Sequence, residues 1–307
     1  MAMDKTAQLP RSRRRGLNYT QEQILLLVNE LRFLTRKAIW RILYAKGSFT
    51  HAGETLKKLA DEGYLTRVGL PHARGTSELV YTLTKQGAFF LRALGVEDAS
   101  WWYRPMSQAS FSLLTHNVAI GQFHIALRLF VRERDGWRII QTRTCYQMER
   151  DPPRLPTIGD GRQVEAAVIP DSWVHLELPD GDRAALWIEI DHGTESKPKY
   201  MQMVRERLAL ISNGQYEKYF ATPSAQLCYL TIGPPGYRHK RAQTLCAWTG
   251  ELLTGMRLTA WADVFRFSTI GEDISDTNAL FLNAVWQKPY ANAPVALFTS
   301  PQGEEKT

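Results

Sequence analysis

The chain has 307 residues, enough for about two domains of roughly 150 residues, and its 44% hydrophobic and 22% charged content is typical of globular proteins. The three cysteines lie far apart and lack the CxxC spacing of a zinc site, and their odd number does not indicate a disulfide framework. The basic start lacks the apolar run of a signal peptide, and no stretch has about 18 uninterrupted apolar residues. We therefore expect a cytoplasmic protein without a membrane segment.

The formal charge is concentrated in the first third of the chain. Residues 1–98 hold 16 lysines and arginines against 9 aspartates and glutamates, a net charge of +7, whereas the remainder holds 22 of each. A basic region joined to a neutral one indicates an anionic partner, most simply double-stranded DNA, although a solvated surface is the alternative. Residues 1–16 are predicted to be disordered, and Arg13, Arg14 and Arg15 form a basic arm that suits DNA phosphates or serves as an inert tail.

Residues 17–97 are predicted to form three helices, two strands and a closing helix. Thr20 and Gln23 match a capping box before the first helix, Thr35 can cap the second, and the third runs from about Ser48 to Glu62. Strands follow at residues 64–68 and 79–83, and a helix at 83–94 closes the region. This order predicts a winged helix-turn-helix, and the string LKKLADEGYLTRV resembles the recognition helix and first wing strand of bacterial winged-helix proteins.

The third helix offers a face for base contacts. If Ala52, Leu56 and Leu59 face the core, another face remains, which carries His51, Thr55 and Lys58, with Lys57 at its border. Such a helix can enter the major groove of DNA. The wing residues Arg67, His72 and Arg74 are placed to contact phosphate or the minor groove. Glu54 and Glu62 count against this interpretation, and the alternative is a winged helix used for protein contacts.

The remainder is predicted to be a mixed α/β domain over residues 111–285, after a linker at 98–110 and before a C-terminal tail at 286–307. A helix at 111–133 precedes strands at 137–148, 164–169, 173–178 and 184–191, with a Pro/Gly loop at 150–163. A helix at 199–212, a strand at 226–232, a helix at 242–253 and a strand near 264–267 follow. The order predicts one mixed sheet with helices packed on it, so the whole chain is of the α+β class.

Three carboxylates are predicted to converge in this domain. Asp171 follows Pro170, and Glu189 and Asp191 lie two apart on a strand, so both point to one face. If the two strands pair through the turn at residue 179, the three acids can bind Mg²⁺ or Mn²⁺, which in a nuclease would activate water. The alternatives are that Asp171 caps the turn after Pro170 and that Glu189, Asp191 and Glu195 are solvated or paired with Arg183 and Lys197.

This arrangement resembles the PD-(D/E)XK nuclease-like fold, in which an Asp after a Pro precedes an acidic-X-Lys strand. Pro170-Asp171 and Glu189-Ile190 match that pattern, but Asp191 occupies the place of the lysine. Lys197 or Lys199 could substitute for the missing lysine as a catalytic residue beside Asp171 and Glu189. Without such a substitute, the resemblance implies a binding or structural domain.

The chain as a whole resembles the replication-relaxation family of plasmid and mobile-element proteins over roughly residues 17–220. The resemblance rests on the N-terminal helices, LLTHNVAIGQFHIALR around His116, IPD at 169–171 and WIEIDHGTES at 187–196. It implies a role in replication or mobilisation of extrachromosomal DNA, with replication or mobilisation proteins as further partners. Whether the chain forms a homodimer stays open.

Three functions follow, in order of preference. The first is a DNA-binding protein that acts without catalysis, because the charge and the predicted winged helix both favour DNA. The second is a Mg²⁺-dependent DNA endonuclease that uses Asp171, Glu189 and Asp191. The third is a winged-helix module for protein interaction.

Overall fold

The computed structural model describes residues 16–70, 78–100, 111–159, 162–271 and 276–299. The predicted basic arm with Arg13, Arg14 and Arg15, the wing residues His72 and Arg74, and most of the predicted linker lie outside these ranges. The chain divides into two compact units, residues 1–121 and 122–307. Among the described helices, none combines the length and the apolar content needed to cross a bilayer.

The first unit follows the predicted order of helices and strands. Its elements are α1 (Tyr19–Leu31), β1 (Leu34–Thr35), α2 (Arg36–Leu43), α3 (Phe49–Asp61), β2 (Leu65–Gly69), β3 (Leu79–Leu83) and α4 (Lys85–Ala93). Thr35 caps α2 as predicted, since its hydroxyl oxygen accepts a bond from the Ala38 amide. The cap of α1 differs from the prediction, because Asn18 and Gln21 form the capping box in place of Thr20 and Gln23.

A small antiparallel sheet completes the first unit, with its described strands in the order β1-β3-β2. The helices bury their apolar faces against it, and Ile24, Ile39, Leu56 and Leu59 are fully buried. The next helix, α5 (Phe111–Arg132), crosses the boundary at Gly121, so its first half belongs to this unit. We therefore find the division inside α5, whereas the predicted domain boundaries at residues 97 and 111 lie earlier in the chain.

The second unit contains the rest of α5 and a larger mixed sheet. Its further elements are β4 (Arg138–Thr144), α6 (Cys145–Met148), β5 (Arg154–Gly159), β6 (Arg162–Ala167), β7 (Ser172–Glu177), β8 (Arg183–Asp191), α7 (Lys197–Ser212), α8 (Gln215–Phe220), β9 (Gln226–Thr231), α9 (Pro235–Gly255), β10 (Phe265–Thr269) and α10 (Thr277–Phe281). The five-stranded sheet has the order β10-β9-β8-β7-β4. Strand β7 is antiparallel to both neighbours, whereas β8, β9 and β10 are parallel to one another.

Side chains alternate between the two faces of this sheet. On one face Trp187, Tyr229 and Phe267 join the buried cluster to which α7 and α9 contribute. On the other face Ser172 contacts His124 of α5, so helices cover both faces. The acids at the end of β8 therefore share a face with α7 and α9.

Three segments of the second unit differ from the prediction. The expected Pro/Gly loop at 150–163 contains β5, which tolerates proline because, among the described strands, it pairs with β6 alone in a separate hairpin. The expected strand at 137–148 ends at Thr144, where α6 begins. The predicted tail begins inside a packed segment, because Trp286 is fully buried and the Gln287 backbone pairs with Phe267 of β10.

Candidate functional site

The exposed face of α3 carries most of the residues predicted to read bases. His51, Lys57 and Lys58 are exposed, and their spacing puts them on the side of α3 away from Leu56 and Leu59. Thr55 does not belong to this face, because it is buried and its hydroxyl donates to the His51 carbonyl at 3.0 Å. The prediction for Thr55 is therefore corrected, since its hydroxyl is used within the helix.

Acidic neighbours accompany the basic side chains of this face. His51 faces Glu54, Lys58 faces Glu62, and Arg67 of β2 faces Asp61, each pair 3.8 Å apart between the nearest charged atoms. Lys57 enters no ion pair within the described ranges. Exposed pairs at such distances contribute about 0–1 kcal/mol, so a phosphate can displace their carboxylates at small cost.

The three predicted acids lie at one edge of the five-stranded sheet. Asp171 immediately precedes β7, and its Oδ2 accepts a hydrogen bond of 2.7 Å from the Ile190 amide on β8. Glu189 and Asp191 flank Ile190 on the same strand and share its other face. The β7–β8 pairing thus brings Asp171 close to the strand that carries Glu189 and Asp191. A hydrogen bond fixes the Asp171 carboxylate to β8.

Glu189 is buried against an arginine from α7. Its Oε1 accepts hydrogen bonds from Arg207 Nε at 2.7 Å and Trp187 Nε1 at 2.5 Å, and Arg207 Nη2 lies 2.6 Å away. Burial raises the pKa of Glu189, the Arg207 charge opposes this rise, and the Asp171 carboxylate adds to it. Burial alone would lower the pKa of Arg207, but its neighbours, chiefly the Glu189 carboxylate, outweigh burial and raise that pKa, so the guanidinium stays cationic.

Asp191 is held by a second arginine, from α9. Arg241 Nε donates to Asp191 Oδ2 at 2.9 Å and Arg241 Nη2 donates to Oδ1 at 3.0 Å, a bidentate pair. The Gly193 amide also donates to Oδ2, and Arg241 Nη2 donates to the Glu195 carbonyl. Partial burial lowers the pKa of Arg241, but the bonds to Asp191 outweigh that effect and raise it.

The lysines predicted to replace the missing family lysine form other pairs. Lys197 contacts Glu251 at 2.5 Å and Lys199 contacts Glu195 at 2.8 Å. All four side chains are exposed or half-exposed. The cation beside Glu189 is Arg207. Within the described ranges, no group of three or more His, Cys, Asp and Glu side chains is arranged to hold a metal ion. The residues therefore do not fit Mg²⁺ as they stand, because arginines pair with Glu189 and Asp191 and the Ile190 amide donates to Asp171.

Sequence reasoning missed Arg207 and Arg241, although the helical pattern carried a signal for the first. Arg207 lies on the apolar stripe of α7 with Tyr200, Val204 and Leu208, where a charged residue requires a buried partner. Arg241 lies four residues before the buried Leu245 on α9. A charged residue at an apolar position of an amphipathic helix is thus the pattern that predicts such an ion pair.

A cavity of about 290 Å³ lies beside α9, away from these carboxylates. His239, Ser268, Thr269 and Gln287 are among its lining residues, and none of the three acids contributes to it. The cavity is therefore separate from the carboxylate cluster.

Comparison with known proteins gives one family. The model of the replication-relaxation family matches residues 25–223, which cover both the helices of the first unit and the acids of the second. None of the curated proteins is similar enough to count as a match. The match covers well over half of the chain, and the chain therefore belongs to the replication-relaxation family.

Proposed function

We propose that this chain binds double-stranded DNA through a winged helix-turn-helix in its first unit and acts in replication or mobilisation of plasmid or mobile-element DNA. The observation that carries the proposal is the exposed basic face of α3 beside an antiparallel sheet of order β1-β3-β2. Helix α2, a short turn and α3 supply the helix-turn-helix, and β2 and β3 supply the wing. Membership of the family supports the replication context.

His51, Lys57 and Lys58 are the proposed DNA contacts of α3. His51 lies in the first turn of α3, the part of a recognition helix that reaches base edges, whereas Lys58 lies in the last turn. Glu54 and Glu62 lie 3.8 Å from His51 and Lys58, respectively, in exposed pairs that contacts with DNA would have to replace. Arg67 on β2 supplies a phosphate contact from the wing once Asp61 releases it.

The second unit is proposed to be nuclease-like in fold and non-catalytic. The sheet order, the Pro170-Asp171 step and the Glu189 strand support the likeness. Arg207 and Arg241 neutralise Glu189 and Asp191 where a nuclease would hold its metal ion. We infer that this unit contributes binding or assembly.

The test is a titration of a labelled DNA duplex at several salt concentrations in EDTA. Lys57→Ala and Lys58→Ala are each expected to weaken binding and to reduce the slope of log affinity against log salt by about 0.9 per lost phosphate contact. The matched control is Lys85→Ala, an exposed lysine of α4 outside the α3 face. Equal affinity and slope in all four proteins would contradict the assignment of α3 and favour the protein-interaction alternative.

A further inference from the structure

A second surface with DNA-binding chemistry lies at the start of α9. Tyr237 is 47% exposed, and Lys240 is exposed. The Tyr237 hydroxyl lies over Gly193, where an added Cβ would be 1.8 Å from it, and Gly193 has a φ of +77°. The tyrosine is therefore seated on the loop that follows β8, and a glycine is needed beneath it.

The lysine of this surface remains available for a partner, because Lys240 enters no ion pair within the described ranges. Lys240 lies three residues after Tyr237, so the two side chains are neighbours on the helix. The nearby Asp276 uses its carboxylate to accept bonds from the first amides of α10.

The acids at the end of β8 do not repel a phosphate as free carboxylates would, because each is paired with an arginine. Arg207 neutralises Glu189 and Arg241 neutralises Asp191. The side chains of Lys197 and Lys199 are balanced by glutamates, so these four ion pairs add no net charge. The cationic side chain of Lys240 is then in excess beside an exposed aromatic ring.

We propose that Tyr237 and Lys240, the α9 surface, bind single-stranded DNA in addition to the duplex contact of α3. A base stacks on the Tyr237 ring, while Lys240 contacts the adjoining phosphate. His239 lies two residues after Tyr237 and lines the cavity on the other side of α9, so it is not part of this surface. Single-stranded DNA is the expected partner because its bases expose their faces, whereas a duplex keeps them stacked. The inference rests on the proposed function, since both require DNA binding by this chain.

The test measures the affinity of the full chain for a labelled oligothymidine and for a duplex of equal length in EDTA. Tyr237→Leu, which keeps bulk over Gly193, is expected to weaken oligothymidine binding about fivefold, the lower end of base–aromatic stacking. Tyr237→Phe keeps the ring and is expected to bind like the wild type. Lys240→Gln is expected to reduce the salt slope by about 0.7, the value for one single-strand phosphate contact.

Lys218→Gln is the matched charge control, because Lys218 is an exposed lysine on α8 outside the α9 surface. If Tyr237→Leu and Lys240→Gln bind oligothymidine as tightly as Lys218→Gln does, the α9 surface is wrong. Equal losses for oligothymidine and duplex in these variants would overturn the single-strand assignment. Failure of the proposed function is distinct, since it leaves duplex binding unchanged in Lys57→Ala and Lys58→Ala.

Discussion

Arg207 and Glu189 form a buried ion pair on which stability is expected to depend. Both side chains are buried, so removing one partner leaves an uncompensated charge inside the protein. Replacing both partners with apolar side chains avoids that penalty, and such replacements are often neutral or stabilising. The pair thus predicts opposite results for single and double substitutions.

Arg207→Met is expected to lower the free energy of unfolding by about 3–5 kcal/mol, because Glu189 loses its cation. The measurement is urea unfolding followed by circular dichroism. The double variant Glu189→Met with Arg207→Met is expected to recover most of the loss. As a control, Lys199→Met breaks the exposed pair with Glu195 and should cost less than about 1 kcal/mol.

The outcome against this prediction is specific. If the double variant is as unstable as Arg207→Met, the cost comes from lost packing of the arginine stem on α7, and the buried charge is not its source. If Arg207→Met lowers the free energy of unfolding only as much as Lys199→Met does, water must reach Glu189.

His124 predicts a dependence of stability on pH. It is fully buried, its Nε2 lies 2.8 Å from Ser172 Oγ, and within the described ranges its Nδ1 has no hydrogen-bond partner. Burial, with a smaller contribution from Arg128, lowers the pKa of His124 from 6.5 to about 3. Between these values the unfolded chain binds more protons than the folded one, so stability falls as pH falls from 6.5 towards 3.

His124 binds one proton, so it contributes at most about 1.4 kcal/mol per pH unit to the slope of the unfolding free energy against pH. His124→Gln removes the titrating group and is expected to flatten the plot of unfolding free energy against pH between pH 6 and 4, relative to the wild type. Ser172→Ala keeps the buried imidazole and should retain the wild-type slope. An unchanged slope in His124→Gln would show that the folded protein accommodates the protonated imidazole.

At the scale of elements, prediction succeeded where local pattern and tertiary structure agree. The apolar spacing of Ala52, Leu56 and Leu59 predicted α3, which spans Phe49–Asp61. Side chains alternate between the two faces of a strand, so the two-residue spacing of Glu189 and Asp191 on β8 predicted that they share a face. The position of a side chain on one or the other face depends on its own strand alone. These features require no knowledge of distant residues.

Other elements depended on contacts that sequence does not reveal. Pro152, Pro153 and Pro156 indicated a loop, but β5, which contains Pro156, needs a pairing with β6 alone. Trp286 becomes buried because its segment returns to β10, and its Nε1 donates to the Leu280 carbonyl at 2.6 Å. Neither pairing leaves a periodic signal in the local sequence.

The pairing of the strands that carry the three acids was predictable from the sequence, whereas the partners of these acids were not. Asp171 reaches β8 through the β7–β8 pairing, which the turn at residue 179 already indicated. The choice of Arg207 and Arg241 over Lys197 and Lys199 depends on how α7 and α9 rotate against the sheet. That rotation is set by packing over the whole unit, so charge spacing alone favoured the wrong cations.

At the scale of the whole molecule, the two units differ in how they use charge. The first third carries the net charge of +7, and His51 and Lys58 of α3 lie in exposed pairs whose carboxylates a phosphate can displace. Residues 99–307 carry no net charge, and in the second unit two arginines pair with the buried acids Glu189 and Asp191. This contrast supports the proposal that DNA is bound by the first unit.

The same contrast predicts binding of supercoiled plasmid without cleavage in either Mg²⁺ or Mn²⁺. Glu189 and Asp191 would each have to leave an arginine before accepting a metal ion, and release of the buried Arg207 carries a large desolvation cost. The measurement is conversion of supercoiled to nicked plasmid, with binding checked in parallel so that inactivity is not mistaken for misfolding. Asp171→Ala serves as the matched variant, and it should give the same background of nicked plasmid as the wild type. Metal-dependent nicking that disappears in Asp171→Ala would instead establish an endonuclease whose cluster rearranges on binding DNA, because no contaminating enzyme responds to that substitution.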